Sequence, residues 1–312
     1  MNKNIYALVG AFFLLFSIGC SNSQKNQNPQ QDSLAANAAK EDILVGSLNV
    51  LVDASILPMM KLQEEVFLSA YPNAKLNFIA KPEVLAVKDL LADQAYVAIL
   101  ARELNAEENK YFTDRSIHPR VFPVWSDAIV LLGNTKSADT SVTIPQLTEI
   151  MKGASLSKKK LVFDNLNGSS FRQLQEIGAI EKVASNFVIG AQDAQEVLKS
   201  VAENADQIGV IGYHEFLALK SSFSNNIRIL SVKNTVGDKA DNVYYKPTQS
   251  TIAAAQYPLA RTFYVLNYQP NLGLGTGFSA FLTGDRGQRI VLKSGLVPAS
   301  MPGREIIIRD KI

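Results

Sequence analysis

The sequence predicts an α/β protein in which mostly parallel sheets are covered by helices. Three observations carry that expectation. Apolar runs of strand length alternate with longer runs at helical spacing, three capping-box signals precede helical runs, and Pro, Gly and Asn punctuate the joints.

The elements follow in order. Leu48 to Val52 reads as a buried strand, and Leu57 to Ala70 as a helix whose apolar side is Met59, Leu62, Val66, Phe67 and Ala70. Pro72-Asn73 marks a turn. A strand at Lys75 to Ala80, a helix at Glu83 to Ala92 and a strand at Tyr96 to Leu100 complete a β-α-β-α-β order, which favours parallel pairing. Past Pro123 a new strand, Ala128 to Leu132, opens a second set. Thr143 to Gln146 has the spacing in which two side chains cap each other's backbone, and the helix it opens stops at Gly153. Leu161 to Phe163 is a strand; Ser170 to Gln173 and Asp193 to Glu196 repeat the capping spacing before two further helices. Ile208 to Tyr213 is a glycine-punctuated strand and Ala260 to Leu266 a later one. Gly277 to Thr283 and Asp285 to Ser294 read as helices, with Gly295 and Pro298 closing the second.

The N-terminus reads as a processing signal. Lys3 supplies the positive charge, Ile5 to Ile18 the short apolar core, and Ser17-Ile18-Gly19-Cys20 the small residues of a cleavage site. The apolar run is too short to span a bilayer comfortably, so residues 1–19 are expected to be removed. The lipobox of bacterial lipoproteins resembles this segment, with Ser17 where Leu is usual, and that resemblance implies a lipidated Cys20. Cys20 is the only cysteine, so no disulfide can form within the chain. Residues 20–40, rich in Asn, Gln, Ser, Lys and Ala, cannot bury enough apolar surface to offset ordering. They are expected to form a tether of roughly 25 Å reach.

The remainder is long enough for one large or two medium lobes. The chain is 47% hydrophobic and 19% charged with a formal net charge of +2, which argues against nucleic-acid binding. Sequence patterns for common hydrolases, metalloproteases and nucleotide-binding enzymes are absent, and Gly273-Leu274-Gly275-Thr276-Gly277 has the wrong spacing and context for a nucleotide loop. His118 and His214 have no metal-ligand spacing around them. Neither a catalytic role nor a cofactor is expected.

Four segments carry a family resemblance. Ala98-Ile99-Leu100-Ala101-Arg102-Glu103-Leu104 with Glu107-Glu108 resembles the "SREL…EE" segment of phosphate-type ABC-transporter solute-binding proteins. Ile208 to Tyr213 is similar to their "gaIGY" strand, Tyr257-Pro258-Leu259-Ala260-Arg261 to their "YPlsR" turn, and Gly287-Gln288 to Gly295 with Pro298 to their C-terminal helix. Order and spacing match over nearly the whole chain beyond Leu44. The resemblance implies a two-lobed periplasmic-binding-protein fold of type II, with residues 41–125 plus 262–312 as one lobe and 126–261 as the other. Chain crossings are expected near Val124 to Ile129 and Leu259 to Val265, with an anion held between the lobes.

Such a cleft binds anions with helix N-termini and loop N–H groups, which suits a chain with little net charge. The resemblance points to Ala54 and Ser55 before the first helix, to Arg102, and to Asn167, Gly168, Ser169 and Ser170, standing where the family has Ser-Gly-Thr. The chain departs from the family in three places. Ala101 replaces a serine donor, Asp164 stands where an arginine is usual with Arg172 after the motif, and Lys81-Pro82-Glu83 replaces a Gly/Ser-rich loop. Pro82 has no N–H to offer, and Lys81 could supply a point charge instead. Asp53 or Glu103 could accept a phosphate proton.

Each of these side chains also has an ordinary role open to it. Ser55, Ser169 and Ser170 could be caps, Arg102 could pair with Glu103 or Glu107, Lys81 could be a solvated strand end, and Trp125 could pack in a core. Two functions follow. The first is a monomeric, lipid-anchored, periplasm-facing protein that captures phosphate or a similar oxyanion for an ABC-type inner-membrane permease. The second is a binding module of the same fold that acts as a ligand sensor or envelope interaction component.

Overall fold

The computed structural model describes residues 42–154, 158–222, 225–235 and 240–301; the signal segment, Cys20 and the tether lie outside them. The described chain from residue 42 onward belongs to one compact unit.

Strand β1 (Gly46–Asp53) leads through a short 3-10 turn into helix α1 (Leu57–Ala70), strand β2 (Ala74–Lys81), helix α2 (Glu83–Leu91), strand β3 (Val97–Leu100) and helix α3 (Ala106–Thr113). Strands β2 and β3 flank β1 in parallel. Val50 and Val52 point into one core and Leu51 into another, so helices cover both faces and the strand reads as a continuous apolar run. Helix α1 buries Met59, Met60, Gln63 and Phe67, whereas the expected Leu62 and Val66 are exposed. Gln63 can be buried because its amide donates to the Gly287 carbonyl at 3.1 Å. Phe67 meets Phe278 and Phe281 at ring separations of 5.1 and 5.2 Å, anchoring this face by about 1.5–3 kcal/mol per large side chain.

Strand β4 (Arg120–Asn134) runs straight through Pro123, where the sequence suggested a break. Its partner is strand β12 (Ala260–Asn267), and their register shifts between Phe263 and Tyr264, opposite Pro123. A residue without an N–H is tolerated at such an irregularity. The first part of β4 pairs with β12 and the second, from Ile129, with strand β8 (Gln207–Gly212), so this one strand joins the two halves of a ten-stranded sheet.

The second half contains strand β5 (Ser141–Val142), helix α4 (Ile144–Lys152), strand β6 (Lys160–Phe163), helix α5 (Ser169–Ile177), strand β7 (Val188–Gly190) and helix α6 (Ala194–Glu203). Thr143 and Gln146 form the expected reciprocal cap, and Gly153 ends α4 at φ 70°, a left-handed position that suits glycine. Asp193 caps α6 through the Glu196 N–H at 2.8 Å. The cap expected of Ser170 and Gln173 does not form: α5 begins at Ser169 behind Gly168, and Gln173 donates to the Ala260 carbonyl. After β8 come helix α7 (Tyr213–Leu219), strands β9 (Ile227–Ile229), β10 (Ser231–Lys233) and β11 (Tyr244–Tyr245), and helix α8 (Gln249–Ala253). Helices α9 (Leu274–Thr283) and α10 (Asp285–Lys293) and strand β13 (Val297–Pro298) follow β12.

The buried cores segregate along the chain. Two clusters draw on residues 48–125 and 263–296, and two on residues 128–259. Trp125 is fully buried and stacks on Phe263 at 5.4 Å, so it packs. Among the described residues no helix is long and apolar enough to cross a membrane.

Candidate anion site

The loop after β1 closes on itself. Asp53 is buried, and its Oδ1 accepts hydrogen bonds from the Ser55 N–H at 3.0 Å and the Ser55 hydroxyl at 2.9 Å. Ser55 is therefore buried and directed at Asp53, while Ala54 is exposed.

The next two cations are also matched by acids. Lys81, with 39% of its side chain exposed, pairs with Asp89. Arg102 makes a two-pronged contact with Glu108, at 2.6 and 2.8 Å, and donates to the Glu103 carbonyl at 2.9 Å. Glu108, rather than Glu103 or Glu107, is the partner because it also closes the Asn105 capping box at the start of α3.

Glu83, the first residue of α2, has a side chain only 1% exposed and pairs with Arg172 of α5. The Arg102 Nε lies 3.8 Å from Glu83 Oε1, and Arg172 also reaches Glu176 at 2.5 Å. Burial raises the Glu83 pKa, and the Arg172 guanidinium only partly opposes that. Alongside this pair the Val84 N–H donates to the Asn167 carbonyl at 3.1 Å, so α2 is tied to the loop before α5.

That loop presents the centre of the site. Asn167 is exposed and its N–H donates to Asn165 Oδ1 at 2.8 Å; Gly168 is buried at the N-cap of α5, without a side-chain cap. Ser169 and Ser170 are buried, and their hydroxyls accept from Arg261 Nη1 at 2.8 and 3.1 Å. Arg261 projects from β12, its Nη2 donates to Asp127 Oδ2 of β4 at 3.2 Å, and its guanidinium lies 5.0 Å over the Phe263 ring. A guanidinium, two hydroxyls and the uncapped positive end of a nine-residue helix thus meet where β12 pairs antiparallel with β4, at the Arg261–Asp127 register position.

Acids crowd this centre. Asp164, 8% exposed at the end of β6, has its pKa pushed up to about 7 by burial and by the charge of Asp53, with Arg261 opposing. Glu215, part of which reaches solvent, is raised well above the carboxylate range by burial of its carboxyl group and by Asp164. Burial works against the Arg261 charge, but Asp127, Asp53 and Glu215 outweigh it and hold its proton tightly. Asp53 Oδ2, Asp127 Oδ1, Asp164 Oδ1 and Arg261 Nε are buried without hydrogen-bond partners.

The structure thus brings Ser169 and Ser170 to a buried cation and directs Ser55, Lys81 and Arg102 to nearby acids. Sequence reasoning missed Arg261, Asp127 and Glu215 as members of the site. Arg261 lay within the quoted Tyr257–Arg261 turn and Asp127 within the expected crossing, so the signal was position at a crossover. Among the described residues no group of three or more His, Cys, Asp or Glu is arranged to hold a metal ion.

No curated protein sequence matches the chain. A family model described as "PBP superfamily domain" matches residues 32–286. Among solved structures, the chain is similar to a Clostridium perfringens protein assigned as a phosphate ABC transporter substrate-binding protein and solved with bound phosphate. That match has 17% identity and a TM-score of 0.65, and covers 82% of this chain and 100% of that one. An ABC-type phosphate transport receptor from Vibrio cholerae matches at 18% identity and a TM-score of 0.64, over 81% of this chain and all of that one. A regulatory domain is similar too: that of Synechocystis CcmR in complex with 2-PG, at 11% identity and a TM-score of 0.52, over 76% of this chain and 95% of that one. At these identities the likeness establishes the fold, a type II periplasmic-binding architecture of mixed α/β layers.

Proposed function

This chain belongs to the PBP superfamily, and from that premise we propose that it captures phosphate or a similar oxyanion in a cleft between two lobes and delivers it to an ABC-type inner-membrane permease. In this reading the lobes are residues 41–125 plus 262–312 and residues 126–261, which the segregation of the buried cores supports. The mature protein is held to the membrane by a lipid on Cys20, faces the periplasm, acts as a monomer, performs no catalysis and binds no nucleic acid.

One observation carries the reading. The buried guanidinium of Arg261 donates to Ser169 and Ser170 at the start of α5, a cation and hydroxyls grouped at an uncapped helix N-terminus. An incoming oxyanion would take over those contacts, with Asp127 keeping the guanidinium oriented. The Clostridium and Vibrio proteins of the same architecture, one carrying phosphate, support the ligand class. The expected anion ligands are Arg261, Ser169, Ser170 and the backbone of Asn167 and Gly168, with the backbone of Ala54 facing them from the other lobe; the Ser55, Lys81 and Arg102 side chains stay with Asp53, Asp89 and Glu108.

The second reading, a sensor or envelope interaction module, has its own support: Lys81, Arg102 and Arg172 are each already matched by carboxylates. Thermal unfolding of the full-length protein in mild detergent separates the two. A phosphate site filled at one hundred times its dissociation constant stabilises the fold by about 2.7 kcal/mol and should raise the midpoint by several degrees. A saturable rise with phosphate and not sulfate is the expected result; no rise with any oxyanion at millimolar concentration would leave the second reading.

A further inference from the structure

We infer that the ligand of this cleft is a small zwitterion, whose phosphate or phosphonate group meets Arg261, Ser169 and Ser170 while an ammonium group meets Asp53 and Asp164. The inference rests on the oxyanion reading above and names the second half of the ligand.

Four carboxylates, those of Asp53, Asp127, Asp164 and Glu215, act on the single buried guanidinium of Arg261. The cations of the neighbouring loops and of α5 are engaged: Arg102 with Glu108, Arg172 with Glu83 and Glu176, and Lys81 with Asp89. No second cation is left over for a dianion. What remains unmet is mainly acceptors: Asp53 Oδ2, Asp127 Oδ1 and Asp164 Oδ1 are buried and receive no hydrogen bond.

Position supports the same conclusion. A β-carbon built on Gly212 would lie 2.7 Å from Arg261 Nη2, 3.0 Å from Glu215 Oε2 and 3.5 Å from Asp127 Oδ2. Glycine at the end of β8 therefore lets the guanidinium and two carboxylates converge over one backbone position. The fields of Asp53 and Asp164 reach each other, and each reaches Glu215. Asp164 also begins the loop that ends at Ser169 and Ser170, so acceptors and anion donors lie at two ends of one short segment.

Chemistry then selects the missing group. A fully ionised oxyanion brings no hydrogen to these oxygens, and a monoprotonated one brings a single O–H. An ammonium brings three N–H donors and a positive charge. Burial favours protons on Asp164 and Glu215, and a neighbouring ammonium would displace them.

The test compares three probes by calorimetric titration of the full-length protein in detergent: 2-aminoethylphosphonate, ethylphosphonate, which has a methyl group in place of the ammonium, and inorganic phosphate. The expected result is at least about tenfold tighter binding of the aminophosphonate than of ethylphosphonate, narrowed to less than about threefold by Asp164→Asn. Equal binding of the two phosphonates would overturn the inference and leave the oxyanion reading standing. Failure of all three to bind would overturn both. Because the probe comparison uses the unaltered protein, the outcome does not depend on how the variant folds.

Discussion

The polar groups of the first loops and those around Arg261 are held in different ways. Ser55 meets Asp53 two residues away, Arg102 meets Glu108 six away, and Lys81 meets Asp89 eight away. Arg261 meets Ser169 across 92 residues and Asp127 across 134, and Arg172 meets Glu83 across 89. Contacts of the first kind shape a loop. Those of the second form only when segments distant in sequence fold together: the Arg261 contacts lie within residues 126–261, whereas the Glu83–Arg172 pair joins the two proposed lobes and can couple the anion site to the relation between them.

Removing a long-range contact should break this contrast most visibly. Arg261→Met leaves Asp127, Asp53 and Glu215 without their shared cation, and a loss of about 3–5 kcal/mol in unfolding free energy is expected, with loss of phosphate binding. Denaturant titration of the variant checks the first part, and calorimetry the second. Glu83→Gln keeps the shape but removes the charge facing Arg172 and Arg102; a loss of about 2 kcal/mol is expected because both arginines retain other acids. A more open solution envelope by small-angle scattering would accompany it.

The pH response sharpens the same point. The Asp164 pKa is raised to about 7, above its value near 4 in the unfolded chain, so its protonated form favours the fold. That contribution is complete below about pH 4 and is lost as pH rises through about 7. Unfolding midpoints should therefore fall between pH 5 and 8, and Asp164→Asn should flatten the decline. The smallest effects belong to the short-range contacts. Ser55→Ala should cost about 1 kcal/mol as a lost turn contact, and Lys81→Ala less than about 0.5 kcal/mol, both measurable by denaturant titration.

The same contrast explains what could be read from the sequence. Helix α1 was bounded correctly because Pro58 and Pro72-Asn73 mark its ends, and α4 because Thr143, Gln146 and Gly153 are local signals. The parallel pairing of β1 with β2 and β3 followed from alternation of element types. Strand β4 was cut short because Pro123 usually ends a strand, and only its irregular partner β12 excuses it. Ser170 and Gln173 had the spacing of a cap, but Arg261 claimed the Ser170 hydroxyl and the Ala260 carbonyl took the Gln173 amide. Arg261 stands in the Tyr257–Arg261 segment, but nothing local in that segment shows its partners, which depend on β12 pairing with β4 and on α5 beginning beside it.

The most direct measurement of the central claim, that the long-range group around Arg261 is the anion site, is calorimetric titration of inorganic phosphate into three proteins: the unaltered chain, Ser55→Ala, and the double variant Ser169→Ala with Ser170→Ala. Binding by the first two within about threefold of each other, with at least about a tenfold loss in the double variant, is the expected result. Binding that survives loss of Ser169 and Ser170 but fails with loss of Ser55 would contradict the account and move the site to the loop after β1.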